Sequence, residues 1–328
     1  MGAILKAGLG TIVLILVATA NPKVTAQSMP TLKGHKNTIT CLAFSKDGKL
    51  LATGAKDGVA IIWDVKATKE LFSTPAHKDM VTSVAISPDG KVLATSGHDS
   101  IILLWDTSTG KQILKQTGHE KDVRGLAFSP DGNILASAGV DHSVRLWNWR
   151  EEKLANRLTG HSAEVNCVAF TRDGKLLASG SWDRTIRIWD TETKKTRHVL
   201  EGHTEFVRNI VFTSDGQTLV SAGKDGIIRV WDIEKGKLLR TLEGHKGLVR
   251  SLSLSSDGEV LASGGRDGTL HLWDFKAGKV KATMQEGVFG FQAIAFSPDS
   301  TVLAAGGIDR NVTLWNVAEI LKKHAADK

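Results

Sequence analysis

Residues 160–190 read GHSAEVNCVAFTRDGKLLASGSWDRTIRIWD, and this stretch decides the fold. Val165 to Phe170 is an apolar-rich run of strand length. Thr171-Arg172-Asp173-Gly174 is a tight turn. Leu176 to Gly180 forms a second strand, and Thr185 to Trp189 alternates apolar and polar as a third. Just beyond, Arg197 to Leu200 makes an outer fourth. Short strands at even spacing, divided by Asp-Gly turns, argue for an all-β, antiparallel architecture.

The stretch is one copy of a repeat. Trp63, Trp105, Trp147, Trp189, Trp231, Trp273 and Trp315 are each 42 residues apart. His35, His77, His119, His161, His203 and His245 keep the same period, and Gly287 takes the seventh place. Asp57, Asp99, Asp141, Asp183, Asp225, Asp267 and Asp309 keep it throughout. A hydroxyl stands ten residues before each of the first six tryptophans: Thr53, Thr95, Ser137, Ser179, Ser221 and Ser263. In the seventh unit that place is Ala305. A fixed period near 40 residues marks a chain built from stacked supersecondary units.

The composition agrees. The 328 residues hold 9 Trp and no Tyr, as expected when one tryptophan position is copied. They are 41% hydrophobic and 23% charged, which excludes a disordered chain, a collagen and a polytopic membrane protein. The formal net charge of +7 is mildly basic for this length and permits an anionic partner without demanding one.

The four markers recurring in phase closely resemble the WD-repeat β-propeller family. The resemblance covers residues 27–316 and implies seven blades of four antiparallel strands around a central channel. It also implies closure of the ring by an N-terminal outer strand, here Gln27 to Leu32 beside Asn311 to Asn316. Pro30 suits an edge position that needs no ladder donor. Residues 317–328 then form a C-terminal tail, either a short helix or a frayed end.

A buried indole N–H needs an acceptor. The resemblance implies a chain from Trp to hydroxyl to His to Asp in each unit. In the first unit it joins Trp63, Thr53, His35 and Asp57; in the fourth it joins Trp189, Ser179, His161 and Asp183. Ser, His and Asp also suit a catalytic triad. An active site occurs once, however, and this set occurs six times at equivalent positions, so its role is structural and no catalytic residue is assigned. The seventh unit, lacking the hydroxyl and the imidazole, is expected to lean on strand closure and apolar packing.

Other chemistry is sparse. His98, His142, His198, His271 and His324 lack metal-ligand spacing, so no metal is expected. The glycines sit in turns and make no phosphate loop, and no cofactor is expected. Cys41 and Cys167 occupy equivalent sites three repeats apart, almost opposite each other across the channel. That separation excludes a disulfide and predicts buried free thiols. Trp149 stands where other units carry mostly apolar residues, and is expected to be packing.

In a repeat protein, function should lie where repeats differ. The resemblance implies that partners dock on the top of the channel, through positions three and five after the repeat His and the one before the turn Asp. The resulting partner-binding set is Trp182, Phe206, Arg208, Arg124, Arg250, Arg266, Lys224, Met80 and Leu248. Aromatic and arginine side chains are the usual anchors of protein interfaces. The reading is therefore a non-enzymatic scaffold that takes a protein or peptide of some acidic character through the top face. The alternatives are a small-ligand-binding or enzymatic propeller with its site at the channel mouth, or a binder of an anionic polymer through Arg124, Arg208, Arg250 and Arg266.

Residues 1–26 differ from the remainder. Lys6 precedes an apolar run from Ala7 to Ala20, followed by Ala18-Thr19-Ala20 and Val24-Thr25-Ala26. That order is the order of a secretory signal peptide. As a helix the run spans about 21 Å, short of a bilayer core of about 30 Å. A cleaved signal is thus preferred to an N-terminal anchor. An exported protein, periplasmic or extracellular, follows, with nucleic acid disfavoured as a ligand. Contact with a membrane follows only if the segment stays uncleaved.

Overall fold

The computed structural model describes residues 30–285 and 290–326. The signal-peptide reading of residues 1–26 lies outside the described residues, as do Gln27 to Met29 of the expected closing strand and Gly287. The described strands form seven four-stranded antiparallel sheets. They are the blades of a propeller.

Blade four shows how the repeat builds each one. Its strands are Val165–Phe170, Leu176–Ser181, Ile186–Asp190 and Thr196–Leu200, running from the channel outward. The turn after the inner strand is fixed by its own side chains. Thr171 Oγ1 donates to Asp173 Oδ1 at 2.7 Å, and the Lys175 backbone N–H donates to the same oxygen at 3.0 Å. Gly174 then takes a φ of 73°, the left-handed corner that glycine adopts without strain. The same turn recurs in every unit. In the seventh, Ser300 occupies the glycine corner at a φ of 60°.

The second strand of each blade is buried on both faces, because neighbouring blades cover it. Its central residue is small in most units, as with Ala52, Ala94, Ala136, Ala178, Ala262 and Ala304. The apolar clusters accordingly run between blades: Trp189 of blade four packs with Val144, Leu146 and Leu158 of blade three. Gly180 shows how close the approach is, since a Cβ there would lie 2.7 Å from Val207 of the next blade.

The ring closes through the N-terminus. Leu32 and Lys33 pair with Val312 and Asn311, adding the outer strand to blade seven. Leu32 is buried, while Pro30 before it is exposed. A closed ring leaves no long free edge at the junction. Beyond the last strand, Val317–Ala326 is a helix, not a frayed tail. It docks Val317 and Ile320 into the cluster between blades six and seven. No helix among the described residues is long and apolar enough to cross a membrane.

Candidate interaction site at the channel mouth

The repeated polar residues lie inside the blades, away from any opening. In blade four, Trp189 Nε1 donates to Ser179 Oγ at 2.8 Å, Ser179 Oγ meets His161 Nε2 at 2.8 Å, and His161 Nδ1 meets Asp183 at 2.7 Å. Blade one repeats the chain, with Trp63 to Thr53 at 2.9 Å, Thr53 to His35 at 2.7 Å and His35 to Asp57 at 3.3 Å. All six hydroxyl-bearing blades carry it. One tautomer satisfies every member: the hydroxyl gives its proton to Nε2, and Nδ1–H goes to the carboxylate. Burial, opposed by the Asp partner, holds the His35, His77 and His203 imidazoles below their ordinary pKa. Burial alone would raise the Asp183 carboxyl, but the hydrogen bond from His161 carries it well below the usual carboxylate range. None of these groups lines the two cavities of the channel.

Blade seven takes a different route. Ala305 offers no hydroxyl to Trp315, and the Phe291 ring packs edge-on against that indole at 6.3 Å. In blade four the His161 ring meets Trp189 edge-on at the same 6.3 Å. Trp149 is buried and donates its N–H to the Gly132 carbonyl at 3.0 Å, a packing role.

The channel is where the repeats diverge. Its mouth is a cavity of about 300 Å³, lined by Trp182, Phe206, Arg124, Arg208, Arg250, Met80 and Leu248 among others. Seven of the nine residues chosen from sequence therefore meet in one place. Lys224 and Arg266 are outside the lining and exposed. Lys224 lies over the Phe206 ring at 5.8 Å and pairs with Glu205 at 3.1 Å.

Trp182 and Phe206, on adjacent blades, form a face-to-face stack. Their ring centroids are 4.6 Å apart with the planes 7° from parallel. Trp182 remains 42% exposed. The stack is held from below by Asn166, which accepts the Trp182 N–H at 2.9 Å and donates to the Val207 carbonyl at 2.7 Å. Arg124 approaches the Trp182 ring at 5.9 Å and pairs with Glu164 at 3.2 Å. The sequence reading places Asn166 among the top positions of blade four but leaves it out of the partner-binding set. The clue to it was its place in the varying channel ring, one repeat after Arg124.

The position five residues after the repeat His does not sit on open surface. It turns into the channel: Asn166 is 2% exposed and Thr82 9%. There Thr40 and Thr82 donate to the Val81 and Val123 carbonyls, as Asn166 does to Val207, so each staples its blade to the next. Arg124, Arg208 and Arg250 occupy the same phase in blades three, five and six.

Below the mouth the channel continues as a second cavity, of 290 Å³, lined in part by Cys41 and Cys167. Both thiols are free. Burial pushes both up to about 12, so they stay protonated and weakly nucleophilic. Among the described residues no group of three or more His, Cys, Asp or Glu could hold a metal ion.

Two family descriptions match the chain. One, "WDR3 first beta-propeller domain", matches residues 102–274; the other, "WD domain, G-beta repeat", matches residues 26–64, 68–106 and 283–316. Among curated proteins, the chain is 43% identical over 60 residues to the target of rapamycin complex subunit wat1 of Schizosaccharomyces pombe, covering 16% of this chain and 19% of that protein. It is 46% identical over 46 residues to the small ribosomal subunit protein RACK1z of Arabidopsis thaliana, covering 14% of each. The intraflagellar transport protein 122 homolog of Xenopus tropicalis is 54% identical over 35 residues, 11% of this chain and 3% of that protein. The matched stretches thus span less than a fifth of these relatives' lengths.

Proposed function

The chain belongs to the WD-repeat β-propeller family, and we propose that it is a non-enzymatic scaffold that holds a protein or peptide partner at its channel mouth. The Trp182–Phe206 stack carries this reading. It sets a rigid, exposed aromatic surface beside a cavity, the arrangement that interface anchors favour. The partner has acidic character, because the mouth lining holds Lys56, Arg124, Arg208 and Arg250 and no Asp or Glu among the described residues. Two of the relatives carry names of assembly components, a complex subunit and a ribosomal subunit protein, which supports a scaffold. The order of residues 1–26 supports a propeller that works after export, or at a membrane surface if the segment is retained.

The test is a random-peptide library screened against the full chain and against Trp182→Ala. Wild type should enrich peptides that pair acidic residues with an aromatic or aliphatic one, and Trp182→Ala should bind them about tenfold or more weakly. Equal enrichment by both proteins would move the interface off this face. Binding that falls steeply with salt and ignores Trp182 would favour the anionic-polymer reading instead.

A further inference from the structure

The ring of residues five positions after the repeat His divides into two kinds. Thr40, Thr82 and Asn166 spend their donors on the next blade's carbonyls. Arg208 does not. It makes no hydrogen bond and no ion pair among the described residues, although it is largely sunk in the channel. Its two same-phase neighbours are only partly satisfied. Arg124 has an ion pair to Glu164, and Arg250 donates to Gln292 Oε1 at 2.5 Å, yet the Nε–H of each is buried without an acceptor.

Three guanidiniums thus converge on one channel, with Glu164 the single carboxylate paired to any of them among the described residues. A guanidinium does not shed its proton in this range. Three like charges brought together in a partly buried channel oppose the fold unless a counter-charge joins them. Burial makes the Arg208 cation harder to hold, and the charge of Arg124 acts in the same direction. A net excess of two positive charges calls for a dianion, and planar N–H forks are the donors that oxyanions take best.

We propose that Arg124, Arg208 and Arg250 form a binding site for a dianionic oxyanion inside the channel mouth. The group is carried by the partner as a phosphate monoester or as two neighbouring carboxylates. The inference rests on the mouth being a partner site, and names the chemical group that enters it. Arg208 is the central contact, since nothing among the described residues uses its donors. The Trp182–Phe206 stack at the rim receives the flanking apolar part of the same ligand.

The experiment is thermal melting of the full chain with inorganic phosphate, with succinate, or with chloride at matched ionic strength, backed by phosphorus NMR of the phosphate. At least one dianion should raise the midpoint above chloride. Arg208→Gln should abolish that rise and weaken binding about tenfold or more. In chloride, Arg208→Gln should melt no lower than wild type, because it relieves repulsion. If that variant fails to fold, Arg250→Gln gives the same reading. A stronger response to phosphate assigns a phosphate monoester; a stronger response to succinate assigns paired carboxylates. Dianions that act no differently from chloride, or a full response in a folded Arg208→Gln, would overturn the site. Trp182→Ala should keep the dianion response while losing peptide binding. Peptides that bind wild type while dianions behave as chloride does would overturn this inference alone. A dianion response without peptide binding would overturn the scaffold reading alone.

Discussion

Blade four and blade seven have the same strands and the same buried tryptophan, held in two different ways. Blade four ties Trp189 through Ser179 and His161 to Asp183 in an unbroken polar chain. Blade seven has neither the hydroxyl nor the imidazole, and sets Phe291 against Trp315. The difference teaches that the network is all or nothing. Losing one partner strands a buried donor or acceptor, whereas losing hydroxyl and imidazole together can be offset by apolar packing. Blade seven also has the Leu32 strand and the docked C-terminal helix to support it.

The sharpest way to break the comparison is Ser179→Val. It removes the middle of the blade-four chain and leaves the Trp189 N–H and the His161 Nε2 buried without a partner. The expected loss is roughly 3 kcal/mol of stability, read from denaturant unfolding. A loss no larger than that of an exposed substitution would mean that the chain is ornament.

Acid should separate the two regions next. The His35, His77 and His203 imidazoles are depressed, so the unfolded chain takes up protons before the folded one does. Their contribution is full above 6.5, the unfolded value, and is lost as pH falls below it. The depressed carboxyls of Asp141, Asp183 and Asp267 are present above 3.8 and add a second loss as pH falls below it. Unfolding midpoints measured across this range should fall in two stages. Hydrogen exchange should show the first loss of protection in blades one, two and five, not in blade seven. Uniform loss across all seven would contradict the assignment of the effect to the networks.

The smallest effect is expected from Ala305→Ser. It returns a hydroxyl beside Trp315, but position 287 is glycine and supplies no imidazole to receive its proton. Stability should change by less than about 1 kcal/mol in denaturant unfolding. A gain of several kcal/mol would show that the indole–hydroxyl bond alone carries the network.

The channel mouth shows where legibility in the sequence stopped. Position in the repeat was enough to place Trp182 and Phe206 at the top, and to pick out Arg124, Arg208 and Arg250. It did not reveal that the two rings stack at 4.6 Å, or that Asn166 holds the indole while stapling two blades together. It also took the fifth position after His for open surface, whereas the strand pleat turns that side chain into the channel. Lys224 and Arg266 share a phase with Trp182 and were chosen on the same grounds, yet neither lines the cavity.

Seven units and their strands were legible in the repeat, and the resemblance it carries implied the Trp–hydroxyl–His–Asp chain and its failure in the last unit. Those features lie within one blade, where a fixed period of 42 and a side-chain alternation of two place most residues. Only the packing of blade on blade set the aromatic stack, the interblade staples and an Arg208 that has no hydrogen bond or ion pair among the described residues. Those depend on the angle and distance at which one blade meets the next, and on a ring that exists only once Leu32 has paired with Val312.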